Sequence, residues 1–298
     1  MRIIKKYKYE HLYIDIDKRG LATVVLNRPE VRNAFNHRTV MEIKHLFKTL
    51  NYDDEVKAVV LQGSGGTFCA GADLNWMRSM IQYSFEENFR DAKNLAAMLE
   101  QIKIFSKPFI AKLEGAAIGG GSGISCLADY VIAENNQNGK GVIMGFPEPS
   151  LGIRPSTISP YVIERLGTDV ALRCFLSGHI IHCKEAKQIG LIDELCSNKF
   201  IDAAVEKKVG LALKYGKRAF QRLPSNSQPP TNPQQNLSGN LAKIQDLVFN
   251  VVDILNDPSK TKEDLMNYTA SDIAMARISD EGQFKMRRFL EKKKRHAL

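Results

Sequence analysis

The stretch FIAKLEGAAIGGGSGISCLADYVIAE, residues 109–134, decides the fold. Its two short apolar runs, FIAKL (109–113) and YVIAE (130–134), have the length and composition of buried strands. Between them Gly119-Gly120-Gly121 opens an apolar segment running to about Ala128, which predicts a helix. The same grammar occurs upstream, where KAVVLQ (57–62) ends in the glycine-rich GSGG (63–66) and a helix is expected at about 73–81. Further out, HLYIDID (11–17), a turn at Lys18-Arg19-Gly20 and LATVVLN (21–27) predict a hairpin. Ile43, Leu46, Phe47 and Leu50 mark one helical face, and Phe89, Ala92, Leu95, Ala96, Leu99 and Ile102 mark another. Such alternation implies an α/β domain with a largely parallel sheet.

Beyond Gly152 the pattern turns mainly helical, through 168–177, 184–189 and 201–215. The segment Pro224-Ser-Asn-Ser-Gln-Pro-Pro-Thr-Asn-Pro233, polar and stiffened by four prolines, reads as a linker. Leu241, Ile244, Leu247, Val248, Val251 and Leu255 then mark an amphipathic helix, and helices at about 261–276 and 280–295 end the chain. The expected organisation is a core over 1–215 and a helical C-terminal region over 216–298, with the linker at about 222–236.

Composition narrows the class. With 298 residues, 44% hydrophobic, 25% charged, 21 Gly and 11 Pro, the chain is not collagen-like, low-complexity or wholly disordered. No run approaches the ~18 apolar residues of a membrane span, and MRIIKKYKYEHLYIDID lacks the apolar core of a secretory leader. Cys69, Cys126, Cys174, Cys183 and Cys196 are odd in number and far apart, which predicts free thiols in a reducing cytoplasm. His179 and His182 have no partner cluster, so no metal site is expected.

The net charge of +9 fits nucleic acid, an acidic membrane surface or a phosphorylated small ligand. From Lys285 to Arg295 seven positive charges stand against one negative, so +6 of the +9 sits in one terminal helix. Met286, Phe289 and Leu290 within it favour a helix packed on one face and solvated on the other, a reading that outweighs nucleic-acid binding.

The glycine clusters fail two familiar patterns. A dinucleotide-binding G-x-G-x-x-G from Gly119 would end on Ile124, and from Gly63 on Phe68. In Gly120-Gly121-Ser122-Gly123 the residue that follows is Ile124, so the hydrolase elbow fails too, and Walker A lacks its G-K-[S/T] ending. An oxyanion site remains. A glycine run at a helix N-terminus leaves backbone N–H groups without intrahelical acceptors at the positive end of the helix dipole. Gly120 supplies one such donor and the loop at Ala72 a second, and two donors converging on one oxygen stabilise charge that develops there. From the glycine clusters alone, close helix–sheet packing at Gly119–Gly121 is the better explanation.

Three ordered strings, Cys69-Ala70-Gly71-Ala72-Asp73-Leu74, Gly115-Ala116-Ala117-Ile118-Gly119-Gly120-Gly121 and Pro147-Glu148-Pro149-Ser150-Leu151-Gly152, resemble the enoyl-CoA hydratase/isomerase (crotonase) family. LNRPEVRNAF (26–35), FLSGHIIHCKEAKQIGLIDEL (175–195) and EGQFKMRRFLEKK (281–293) support the resemblance. GADLNWM and SPYVIERLG (159–167) look closest to its methylglutaconyl-CoA hydratase branch, in leucine degradation.

The resemblance implies a spiral of ββα units with a C-terminal helical region, assembled as a homotrimer or a dimer of trimers. It implies an acyl-CoA thioester substrate, no separate cofactor and no membrane attachment. The thioester oxygen would lie between the N–H groups of Ala72 and Gly120, and Glu148 would be the acid/base. Coenzyme A contacts would map onto Val31, Arg32 and Ala34 and onto Ala70, Ala72, Asp73, Leu74, Asn75 and Gly120. One position departs from the pattern: hydratases with two catalytic glutamates carry the first where this chain has Gly123. A single glutamate suffices for a double-bond shift, so an isomerase is the alternative, and an RNA-binding or non-catalytic member is a third. The segment 135–141 looks extended, and Trp76 is placed either beside the acyl pocket or in a core.

Overall fold

Strand β1 (Leu12–Ile16) turns at Gly20 into β2 (Leu21–Leu26), pairing antiparallel with Leu12 opposite Leu26 and Ile16 opposite Ala22. From β2 onward the pairing within this sheet is parallel. β3 (Ala58–Gly63) lies beside β2 with Leu21 opposite Ala58, and β4 (Phe109–Leu113) lies beside β3 with Val59 opposite Phe109. After β5 (Ala116–Ile118) comes β6 (Tyr130–Glu134), which pairs with β4, and β7 (Ile143–Gly145) and β8 (Ile180–His182) follow. β9 (Glu194–Cys196) closes the six-stranded sheet in the order β1-β2-β3-β4-β6-β9, while β5-β7-β8 form a second sheet. The computed structural model describes residues 8–135, 141–220 and 239–295. The linker expected at 222–236 and most of the extended segment 135–141 lie outside them.

These residues form two compact units, each assembled from several segments of the chain. The first comprises the described residues within 1–71, 98–144 and 181–224. Its large sheet is buried on both faces, which is why β3 and β4 read as continuous apolar runs rather than alternating ones. One face, with Ala58, Val60, Ile110 and Ile132, packs on Ile201, Val209 and Ala212 of helix Ile201–Tyr215. Helix His37–Tyr52 buries Ile43, Leu46, Phe47 and Leu50, and the Phe47 ring meets those of Phe105 and Phe109 at 5.2 and 5.3 Å. Asn36 caps that helix by accepting from the Thr39 N–H.

The second unit comprises the described residues within 72–97, 145–180 and 225–298 and is mainly helical. Helix Leu74–Gln82 and the last helix, Asp280–Arg295, share a core of Met77, Ile81, Ile153, Ala276, Met286 and Leu290. Arg287, Arg288, Lys292, Lys293 and Lys294 of that last helix are exposed. The helix is therefore packed on one face and cationic on the other, as its sequence indicated. Helix Asn240–Asn256 buries Ile244, Leu247, Val248 and Val251 and packs on helices Ser159–Leu166 and Thr168–Ser177. Trp76 is in the core. Its Nε1–H donates to Asp91 Oδ1 at 3.1 Å, and Asp91 Oδ2 accepts from Arg277 Nη1 at 2.9 Å.

Most elements fall where periodicity put them, but the three-residue strands β5, β7, β8 and β9 do not appear in that reading. Three residues are too few to display a period, and the stretch after Gly152 holds two of these strands among its helices.

The Asp91–Arg277 pair is almost wholly enclosed, with side-chain exposures of 7% and 4%, so removing one charge strands the other. Asp91→Asn is expected to lower stability by about 3–5 kcal/mol in urea unfolding, and a loss below about 1 kcal/mol would show that the pair is solvated.

Candidate functional site

In the first unit a short loop, a strand end and a helix start are tied together. Pro29–Val31 form one turn of 3-10 helix, after which Arg32 and Asn33 adopt φ of 53° and 55°. Few residues tolerate that left-handed region, asparagine among them. Asn33 is buried and uses its whole amide: Nδ2 donates to the carbonyls of Ser64 at 2.9 Å and Thr67 at 2.6 Å, and Oδ1 accepts from Arg28 N–H at 2.8 Å. Arg28 Nη1 also donates to the Ala34 carbonyl at 2.7 Å.

The Ala70 N–H donates to the Arg32 carbonyl at 3.0 Å, and Phe35 N–H to the Gly71 carbonyl at 2.8 Å. On its other side Cys69 exchanges backbone hydrogen bonds with β5, from Cys69 N–H to Ala116 and from Ile118 N–H to Cys69. Val31–Ala34, Ala70 and the entry to Gly119–Gly121 are thus linked by a short chain of backbone hydrogen bonds.

The glycines have separate reasons. Gly119 turns the chain into helix Gly120–Cys126 with φ 53° and ψ −115°, which a side chain would strain. A Cβ on Gly121 would stand 2.8 Å from the Cys69 carbonyl oxygen, so the helix start and the loop approach as closely as backbones allow. Gly120 is the first helical residue, and its N–H belongs to the group that has no acceptor within the helix. Gly123 is buried inside the same helix, so that position offers no carboxylate.

The second unit holds Ala72–Asn75 and Glu148. Asp73 caps helix Leu74–Gln82, its Oδ1 accepting from the N–H groups of Asn75 at 2.8 Å and Trp76 at 3.4 Å. Asn75 Oδ1 accepts from Arg78 Nη1. Leu74 packs with Leu151 on the Met77–Ile81–Ile153 cluster, so the helix after Ala72 and the turn bearing Glu148 share one core.

Glu148 opens the 3-10 turn Glu148–Leu151, with Pro147 before it and Pro149 after it. Its carbonyl accepts from Ile153 N–H at 3.1 Å, and Ser150 Oγ donates to the Pro147 carbonyl at 2.7 Å. Carboxyl oxygen Oε2 is shut off from solvent and meets no hydrogen-bond donor among the described residues. Burial disfavours its charge and pushes the pKa up to about 7, opposed only by a hydrogen bond from the residue's own N–H. A carboxyl that is neither firmly ionised nor firmly protonated at neutral pH suits proton transfer.

Asn33 escaped the sequence reading because its three partners lie across two loops. The signal available was an asparagine where the chain needs positive φ. The cysteines are all free, and burial pushes the Cys69 thiol up to about 12. Among the described residues no group of three or more His, Cys, Asp or Glu is placed to hold a metal, and no helix is long and apolar enough to cross a membrane.

The first unit thus holds a strand-paired glycine loop at a helix start, and the second an enclosed carboxyl in a proline-flanked turn. The family model for enoyl-CoA hydratase/isomerase matches residues 17–237, and the chain belongs to that enzyme family. It is 30% identical over 215 residues to the crotonyl-CoA hydratase of Syntrophomonas wolfei, covering 72% of this chain and 79% of that protein. With the 2,3-dehydroadipyl-CoA hydratase of Escherichia coli it shares 29% identity over 213 residues, 71% of this chain and 78% of that one. The crystal structure of an enoyl-CoA hydratase from Shewanella pealeana superposes with a TM-score of 0.65 at 28% identity, covering 96% and 95% of the two chains.

Two outcomes follow from this geometry. Asn33→Ala leaves several buried backbone groups without partners and is expected to destabilise the protein by about 1–3 kcal/mol in urea unfolding. An unchanged midpoint would show that the loop holds without Asn33. The Glu148 carboxyl keeps its proton up to about pH 7 when folded, against 4.5 for an unperturbed glutamate. Its stabilising contribution is therefore fully present below the unfolded value and is lost as pH rises through the folded one. Between about pH 4.5 and pH 8, wild type is expected to lose about 3 kcal/mol relative to Glu148→Gln. A difference independent of pH would contradict the raised pKa.

Proposed function

We propose that this protein is a cytoplasmic hydratase that adds water to a short, branched or acidic 2-enoyl-CoA thioester, with methylglutaconyl-CoA as its particular substrate. The observation that carries this reading is the enclosed Glu148 carboxyl with its pKa near 7. The thioester carbonyl oxygen accepts hydrogen bonds from the Ala72 and Gly120 N–H groups. As the water oxygen bonds to C3, ionised Glu148 takes a proton from that water, and the C2=C3 electron pair moves toward the thioester. The resulting enolate oxygen is the charge that the two N–H donors stabilise, and each donor of this kind is worth about 10²–10³ in rate. Glu148 then delivers its proton to C2, and the product is the 3-hydroxyacyl-CoA.

Coenzyme A lies along Val31, Arg32 and Ala34 and along Ala70, Asp73, Leu74 and Asn75. Arg32 supplies positive charge there, while Asp73 and Asn75 contribute through the helix start they organise. No further cofactor is required. The active form is a homotrimer or a dimer of trimers, and the GADLNWM string supports the preference for a branched acyl chain.

Gly123 favours a second reading. Without a carboxylate at that position, Glu148 alone is well suited to move a double bond by removing a proton from one carbon and returning it to another. Loss of the conjugated thioester absorbance on adding methylglutaconyl-CoA or crotonyl-CoA is expected for the hydratase. Absence of turnover on every 2-enoyl-CoA, with turnover of a 3-enoyl-CoA, would make it an isomerase. Glu148→Gln is expected to lower either activity by about 10²–10⁴ while coenzyme A still binds. Turnover near wild type in that variant would sink the catalytic assignment.

A further inference from the structure

The segment just after the turn that bears Glu148, residues 153–156, is tied by a polar network to Asn240 and Asp272 of two C-terminal helices. Ile153, whose N–H is bonded to the Glu148 carbonyl, accepts at its own carbonyl from Asn240 Nδ2 at 3.1 Å. Asn240 is the first residue of helix Asn240–Asn256 and is buried. Its Oδ1 accepts from Arg154 Nη1 at 3.3 Å. Arg154 in turn donates to Asp272 twice, from Nε to Oδ2 at 2.7 Å and from Nη2 to the carbonyl at 2.8 Å, and Ser156 Oγ donates to the same Oδ2 at 2.5 Å.

Two features make this more than a satisfied core. First, Glu148 Oε2 is enclosed and meets no hydrogen-bond donor among the described residues, so no partner at that oxygen fixes its direction apart from the backbone that carries it. That backbone is tied at its carbonyl to Ile153, and the Ile153 peptide is tied on its far side to Asn240. Second, Asn240 is not needed where it stands as a helix cap, since Gly239 occupies the cap position. Burying an amide there is unfavourable unless both ends are bonded, and its two ends go to Ile153 and Arg154.

We propose that Asn240 is a positioning residue for Glu148, oriented by Arg154 and Asp272 and acting through the Ile153 peptide. The proposal rests on the reading of Glu148 as the acid/base. The last helix adds a second restraint: a Cβ on Gly152, which ends the turn, would stand 2.7 Å from the Glu281 carbonyl oxygen. Charged groups on and near the elements packed against the turn include Arg154 and Asp272, Glu281 and Lys285, which pair with each other at 2.7 Å, and Asp169 and Arg173 on helix Thr168–Ser177; the last helix also carries Asp280, Arg287, Arg288, Glu291 and Lys292–Lys294.

The test compares Asn240→Ala with Val248→Ala, a core truncation in the same helix that leaves the polar network intact. Asn240→Ala is expected to lower kcat about 10–100-fold with KM changed less than about threefold, as a displaced catalytic group does. It is also expected to move the Glu148-dependent limb of the pH profile toward the ordinary glutamate range by at least half a unit. Val248→Ala should lose stability and keep both kcat and the profile. Asp272→Asn, which preserves shape, should show the Asn240→Ala effect in weaker form and stands in if Asn240→Ala does not fold.

A second readout needs no turnover: the pH dependence of the stability gap between each background and its Glu148→Gln partner reports the Glu148 pKa directly. A smaller gap in the Asn240→Ala background supports the positioning role even if no acyl-CoA is turned over, an outcome that would overturn only the catalytic reading. Wild-type kcat and profile in folded Asn240→Ala would overturn the proposal. So would equal losses in Asn240→Ala and Val248→Ala with the gap unchanged.

Discussion

The glycine loop of the first unit depends on how closely two backbones approach at Gly121 and Cys69. A single Cβ would stand 2.8 Å from the Cys69 carbonyl oxygen, closer than nonbonded atoms tolerate. That contact lets the loop pair with β5 on one side and with the Val31–Phe35 loop on the other. It therefore sets where the Gly120 N–H emerges. Glycine at this point is a packing requirement, and the same packing leaves the Gly120 N–H at the helix start.

The fold was legible wherever a period had room to show itself. β1 through β4, β6 and the long helices follow from alternation, from apolar runs and from helical spacing. β5, β7, β8 and β9 were not legible, because three residues carry no period and their pairing is decided by the chain around them. The site divides along the same line. The glycine strings and the proline-flanked glutamate are local and could be read directly. The partners of Asn33 across the Ser64–Thr67 loop, and the Arg154–Asp272–Asn240 network, join residues far apart in the chain. Nothing in their local sequence distinguishes them from solvated polar residues.

Charge behaves differently in the two settings. On the last helix the cationic side chains point to water, where each contributes little beyond solubility and long-range attraction. In the interior, Arg277 and Arg154 face carboxylates with little solvent between, and there a pair fixes geometry at the risk of a large penalty if broken. The overall +9 thus says little about structure, whereas two enclosed arginines say much.

The Cys69 thiol, buried against the glycine helix with its pKa near 12, also bears on dynamics. Thiol reagents attack the thiolate, and this sulfur presents almost none while the loop is closed. Alkylation at that one position, followed by mass spectrometry, would therefore keep time on the opening of the loop beside Gly121. It would do so without a probe being introduced.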